Sequence, residues 1–130
     1  MDIRLVLAVA LGGAAGSVLR YMIGLAAQAR LNTLFPFSTL LINVTGSFVL
    51  AFVARYATDT SALSAEMTLL LTTGFCGGYT TFSAFSYETV RLLEEGAWVH
   101  AASYVVASVV LSLGGTVLGF TVARAVTSKG

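Results

Sequence analysis

Charge is what this sequence has least of. Only 10% of its 130 residues are Asp, Glu, Lys or Arg, and they sum to a net charge of +1. The seven cationic residues are scattered, so no basic block offers itself to nucleic acid or to lipid headgroups. Cysteine occurs once, at Cys76, which excludes an intrachain disulfide and any Cys–His zinc spacing. Its place between Phe75 and Gly77 reads as a small buried side chain. Histidine also occurs once, at His100, a position that suits the membrane interface better than proton transfer. No HExxH, P-loop or dinucleotide fingerprint is present, and no repeat or low-complexity tract. These absences leave no catalytic constellation, and the chain reads as something other than an enzyme.

What is abundant is apolar length. Hydrophobic residues make up 57% of the chain and its mean hydropathy is +0.89. A bilayer core is crossed by about 20 apolar residues of helix, and the chain divides into four such runs. They span approximately residues 3–27, 37–57, 66–93 and 97–123. The expected fold is therefore an all-α membrane protein, one domain over residues 1–130, with no room for a soluble domain. The first run is longer than the apolar core of a secretory leader. Asp2 beside Arg4, and Arg20 ahead of the small-residue triplet Ala27-Gln28-Ala29, also argue for a retained span. The single proline, Pro36, suits the first turn of the second run.

Each run carries a feature beyond its hydropathy. In the first, Gly12 and Gly16, with Gly13 and Ser17 one step round, form small-xxx-small pairs that favour close helix packing. Arg20 near its end either snorkels to the interface or serves a buried structural or anion-attracting role. In the second, Asn43 is an amide about two turns into an apolar helix, followed by Thr45, Gly46 and Ser47; such an amide glues helices together or touches a ligand. In the fourth, Tyr104, Ser108, Ser112 and Thr116 recur every four residues and so share one face. Gly115 and Gly119 add a further close-packing pair.

The third run is the least like a membrane helix. Gly77-Gly78 and Thr80-Thr81 weaken it, through backbone entropy and β-branching. Beyond them Thr80, Thr81, Ser83, Ser86 and Tyr87 interleave with Phe82 and Phe85 and end on Glu88. One reading is a helix broken in mid-membrane, whose freed backbone groups hold charge. The other is a glycine-kinked helix that only packs closely. Hydroxyls, an amide and the electropositive edges of phenyl rings together suit a small, hard, hydrogen-bond-accepting anion. Phe82 and Phe85, three residues apart on one helical face, either pack as an ordinary aromatic pair or meet such an ion edge-on.

Four spans put both termini and the middle loop on one side, with Arg4, Arg55, Arg124 and Lys129. The other side holds Arg30 and Arg91, with Arg20 near it. Four against three is a weak orienting bias: a chain so balanced either inserts both ways and pairs with an inverted copy of itself, or takes one orientation set by a bias outside this count.

Three stretches carry a family resemblance. They are the G-x-x-G-S-x-L-R-Y run ending at Arg20-Tyr21, the segment Leu41-Ile42-Asn43-Val44-Thr45-Gly46, and the block G-F-C-G-G-Y-T-T-F-S-A-F-S-x-E ending at Glu88. With them the chain resembles the Fluc/CrcB family of fluoride ion channels over essentially its full length. The resemblance implies a break in the third helix, an antiparallel dual-topology homodimer with two fluoride pores, and a structural sodium ion at the dimer centre. The sodium maps to the backbone carbonyls of Gly77 and Thr80. The fluoride pathway maps to Asn43, Thr81, Ser83, Phe82, Phe85, Tyr104, Ser108 and Ser112. Arg20 and Glu88 remain as anion-attracting or structural residues. Tyr79 stands where the family has a smaller or aliphatic residue. The implied activity is passive export of fluoride across the bacterial cytoplasmic (inner) membrane, giving resistance to its toxicity. Two other classes are weighed beside it: a dual-topology proton-coupled small-molecule exporter using Glu88, and a non-transporting membrane assembly subunit.

Overall fold

The computed structural model describes residues 2–128, so Lys129, counted above in the charge bias, lies outside the described residues. The described chain is helical almost throughout. Helix α1 spans Ile3–Arg30 and α2 spans Phe37–Asp59. The third run opens with the short α3, Ala65–Leu69, continues as a π-helical stretch over Leu70–Cys76 and ends in one α turn, α4, Gly77–Tyr79. After an interruption at Thr80 and Thr81 it resumes as α5, Phe82–Glu94. Helix α6, Trp98–Thr127, closes the chain. Helices α1, α2 and α6 are each long and apolar enough to cross a membrane. The interruption keeps the third run from qualifying as a single helix. Its outer limits, and those of the other runs, lie within a few residues of the expected ones.

Local chemistry places the ends. The Asp2 carboxylate accepts from the Arg4 N–H at the start of α1, and Ser64 Oγ accepts from the Met67 N–H at the start of α3. At the far end of α5, Gly96 takes a φ of 73°. There the Gly96 N–H reaches the Leu93 carbonyl and the Ala97 N–H reaches that of Leu92, a Schellman closure that turns the chain into α6.

The helices pack in two pairs. Helix α1 lies against the first half of the third run, and α2 lies against α6. Glycine sets the first pairing from both sides. A Cβ on Gly12 would sit on the Leu70 carbonyl, and one on Gly16 would sit on that of Phe75. In return, a Cβ on Gly74 would come within 2.8 Å of the Val9 carbonyl oxygen, and one on Gly78 would sit on the Gly13 carbonyl. The two backbones therefore touch directly, which in lipid is a main source of helix association. Gly115 and Gly119 do the same for α6 on α2: their added carbons would come within 3.0 Å of the Val44 carbonyl oxygen and of Ala51 Cβ. The second half of the third run changes partner, because α5 packs on α6, where Leu92, Ala101 and Tyr104 form a buried cluster with Phe35, Leu40 and Phe85 beside it.

Of the two pairs expected from sequence to weaken the run, the glycines do not make the break and the threonines do. Gly77 is helical, with φ −63° and ψ −38°, and Gly78 lies within α4. The extended residues are Thr80, with ψ 158°, and Thr81, with φ −154° and ψ 110°. Gly78 is small because Gly13 is against it.

Overpacking at a backbone-on-backbone contact forces the helices apart, typically at a cost of about 1–3 kcal/mol or more. Gly16→Ala is therefore expected to lower the thermal unfolding temperature of the detergent-solubilised protein by several degrees. Gly114→Ala, whose new carbon meets no atom of the chain, is expected to leave it nearly unchanged. Equal unfolding temperatures for both variants would contradict this packing.

Candidate functional site

Breaking a helix releases backbone groups that lipid cannot satisfy, each at a cost of several kcal/mol. Their new partners define the site. The Thr81 N–H, which in a continuing helix would bond the Gly77 carbonyl, goes to Asn43 Oδ1 at 2.8 Å. The Thr81 carbonyl accepts from Asn43 Nδ2 at 3.1 Å. One amide on α2 thus holds both backbone groups of one residue of the break. The Gly78 carbonyl accepts from Arg20 Nε at 3.0 Å and from Ser17 Oγ at 3.4 Å, both on α1. Upstream, the Thr80 N–H and its hydroxyl both bond back to the Cys76 carbonyl at 2.9 Å. Downstream, Thr81 Oγ1 accepts from the Ala84 N–H and caps α5. Among the described residues no donor reaches the carbonyls of Gly77 or Thr80.

These bonds assign Asn43 and Arg20. Asn43 glues helix to helix, with its oxygen committed to the Thr81 N–H and one of its two N–H donors to the Thr81 carbonyl. Arg20 does not snorkel to the interface. It turns inward and lays its guanidinium on the break. Cys76 is 1% exposed, the small buried side chain its neighbours indicated.

Beyond the break the aromatic and hydroxyl residues converge. The rings of Phe82 and Phe85 lie 5.4 Å apart with a tilt of 45°, and Phe85 lies 5.3 Å from the ring of Tyr104. Phe35 completes the row, edge-on to Tyr104 at 5.5 Å. Phe82 is exposed at the open end of this row and Tyr104 is buried within it. Ser83 Oγ sits 3.2 Å from Thr81 Oγ1. On α6, one turn past Tyr104, Ser108 is buried and its hydroxyl has no partner. Ser112 follows half-buried, whereas the Thr116 hydroxyl bonds back to the Ser112 carbonyl and drops out of the stripe.

Glu88 lies beside this row. Its two carboxylate oxygens accept from the Thr39 hydroxyl at 2.8 Å and the Tyr104 hydroxyl at 2.7 Å. Tyr104 therefore does not offer a free O–H, as the expected stripe of donors had it. Its proton is directed at Glu88. Two cavities meet at Gln28, Ser38 and Glu88. One, of about 250 Å³, opens past Phe35 and Arg91; the other, of about 300 Å³, reaches inward to Arg20 and Thr81. Thr39, Gln28 and Ser38 were not legible as site residues, although Thr39 precedes Asn43 by one helical turn and shares its face.

The sequence profile described as CrcB-like protein, Camphor Resistance (CrcB), matches residues 7–120. The chain belongs to this family. It is 47% identical over 120 residues to the fluoride-specific ion channel FluC of Rhizobium meliloti (strain 1021), an alignment covering 92% of this chain and 96% of that one. It is 45% identical over 119 residues to the fluoride-specific ion channel FluC of Geobacter sulfurreducens, with the same coverages. The FluC of Roseiflexus sp. (strain RS-1) is 44% identical over 119 residues, again at 92% and 96%. The CrcB-like relatives are channels by name rather than enzymes, in keeping with the missing catalytic constellation. Family membership and the three long apolar helices make this a multi-pass membrane protein.

In this CrcB-like chain the Asn43 amide is the piece whose loss is felt most. Asn43→Leu leaves the part-buried N–H and C=O of Thr81 unpaired, at about 1–3 kcal/mol each at most. The variant is expected to unfold at a temperature lower by several degrees and to lose backbone protection at Thr80 to Phe82 in hydrogen exchange. Unchanged exchange in this segment would show that the amide does not hold the break.

Proposed function

We propose that this chain conducts fluoride passively out of the bacterial cytoplasm through the inner membrane, as an antiparallel homodimer. The names of its relatives supply the ion. The observation that carries the reading to particular residues is the Ser108 hydroxyl, buried without a partner one turn along α6 from Tyr104, which belongs to the aromatic row. A buried polar atom left unpaired calls for an explanation, and a transient anion accepting its proton supplies one. On this reading Phe82 and Phe85 turn ring edges to the ion, where positive edge potential favours an anion. The track then runs Phe82, Phe85, Ser108 and Ser112, with Ser83 and Thr81 at the break and Asn43 holding the backbone there. Two cavities lie on the α2 side of α5, one bordered by Arg20 and the other by Arg91, and Glu88 lines both. Hydrogen fluoride enters cells as a neutral acid and ionises in the less acidic cytoplasm, so an anion pathway by itself accomplishes export.

Sodium has a fitting donor set. The Gly77 and Thr80 carbonyls are without donors from the chain. No group of three or more His, Cys, Asp or Glu among the described residues competes as a metal site. Neutral carbonyl oxygens suit a hard monovalent cation better than a divalent one. Two carbonyls per chain are few, and an inverted second copy would double them. Gly77 favours that arrangement, since it is exposed on the single chain and a Cβ there would meet nothing. When bound, sodium would supply positive charge to freed carbonyls and tie the two breaks together.

The reading is tested in proteoliposomes. Fluoride efflux is expected to follow an imposed voltage and to proceed without a proton gradient. Flux that requires a proton gradient would favour an exporter built on Glu88, and no flux would favour an assembly subunit. Within the channel, Phe82→Ile and Phe85→Ile are each expected to cut flux at least tenfold while the dimer still assembles, because an aliphatic chain has no electropositive edge. Ser108→Ala is expected to slow it severalfold. Parental flux in all three would remove the aromatic and hydroxyl track from the mechanism.

A tag at the C-terminus tests the inverted pairing. Labelling is expected from both sides of the membrane in a sealed preparation. Labelling from one side alone, in every molecule, would exclude it.

A further inference from the structure

Helix α2 grips the break at two points. Asn43 takes Thr81 on the downstream side. On the upstream side the Tyr79 hydroxyl lies 3.0 Å from Thr45 Oγ1. The direction of this bond follows from the helix contacts of Thr45, whose own proton goes to the Leu41 carbonyl at 2.7 Å, with the Ile42 carbonyl at 3.3 Å. The Thr45 oxygen therefore accepts and Tyr79 donates. The ring of Tyr79 is held as firmly. It is 7% exposed and stacks on Phe75 at 5.8 Å with an interplanar angle of 13°. Its other neighbour is Gly46, where an added Cβ would fall within 3.0 Å of Tyr79 Cδ1 and would collide with the Thr80 methyl.

Tyr79 is the last helical residue before the break, and Thr81 is the N-cap of the helix after it. Thr80 is thus a single extended residue strung between two anchors on α2. One of the donor-free carbonyls belongs to Thr80 itself, and the other, on Gly77, belongs to the helical turn that ends at Tyr79.

We propose that Tyr79 and Thr45 are positioning residues for the cation: their hydrogen bond fixes the orientation of the Gly77 and Thr80 carbonyls. The inference rests on the reading that these two carbonyls hold sodium. Oxygens held in place before the ion arrives lose less freedom on binding it, so the cage binds more tightly. Without the Tyr79 hydroxyl the turn Gly77–Tyr79 can rotate about its ring packing, and the two carbonyls diverge. Neither residue belongs to the Phe82, Phe85 and Ser108 track. The bond therefore acts on the cation and not on the anion path.

The test follows thermal unfolding of the detergent-solubilised protein while sodium replaces N-methyl-D-glucamine at constant ionic strength. An ion that binds the folded state raises the unfolding temperature with concentration, so the sodium concentration at half the maximal rise reports the cage. Tyr79→Phe removes the hydroxyl and keeps the ring. It is expected to raise that midpoint about two- to tenfold, the equivalent of one net hydrogen bond. Thr45→Val is expected to do the same, and the double variant to be no worse than the more affected single one, since both delete one bond. Thr45→Ser keeps the acceptor and is expected to retain the parental midpoint.

A role in packing alone would lower the unfolding temperature equally in both cations and leave the midpoint where it was. That result in Tyr79→Phe would overturn the inference while the cation reading stood. A parent protein indifferent to sodium would overturn both. Tyr79→Phe decides the matter by itself should Thr45→Val fail to fold.

Discussion

One side-chain amide and one peptide segment hold this structure in its unusual shape. Interrupting a helix inside an apolar medium is unfavourable because every freed N–H and C=O lacks water. The interruption persists because Asn43 supplies an acceptor to the Thr81 N–H and a donor to its carbonyl, 38 residues away along the chain. Arg20 and Ser17 supply a second set to Gly78 from the opposite side. Helices α1 and α2 thus act as two jaws. The carbonyls they leave free, on Gly77 and Thr80, gain significance because their neighbours are so fully occupied.

The jaws close only because the helices come very near. Gly12, Gly16, Gly74 and Gly78 bring α1 and the third run into backbone contact, so that a side chain as short as Ser17 reaches a carbonyl across the interface. The third run then changes partner at its break. Its first half belongs to α1, and its second half belongs to α6, where Phe85 meets Tyr104 and Glu88 accepts from Thr39 and Tyr104. A continuous helix could not serve both neighbours in this way. The break is therefore a device of architecture before it is a device of binding. Phe82 and Phe85 follow it on α5, and the carbonyls of Gly77 and Thr80 that find no donor among the described residues precede them.

Glu88, expected from sequence as an anion-attracting or structural residue, shows how partners decide what a carboxylate can do. A lone carboxylate at membrane depth invites a proton-carrying role. In the fold it is a hydrogen-bond acceptor shared by Thr39 and Tyr104, which also occupies the proton that Tyr104 would otherwise have offered to the hydroxyl stripe. The stripe shortens again at Thr116, which bonds to its own helix. Ser108 alone keeps a buried, unpaired hydroxyl among the described residues.

The sequence by itself determined the class of structure. Scarce charge and four long apolar runs dictate membrane helices, since hydropathy acts residue by residue without regard to partners. Glycine pairs announced close packing, and a segment rich in glycine, threonine and serine announced trouble in the third helix. The motif block was specific enough to indicate the family. Only the tertiary structure decided where the trouble falls. Gly77 and Gly78 stay helical, with α1 against Gly78, and the chain extends at Thr80 and Thr81, where Asn43 pairs both backbone groups of Thr81. Which oxygen receives which proton depends on helices far apart in sequence meeting at a separation of a few ångströms. A local pattern of residues carries no record of that meeting.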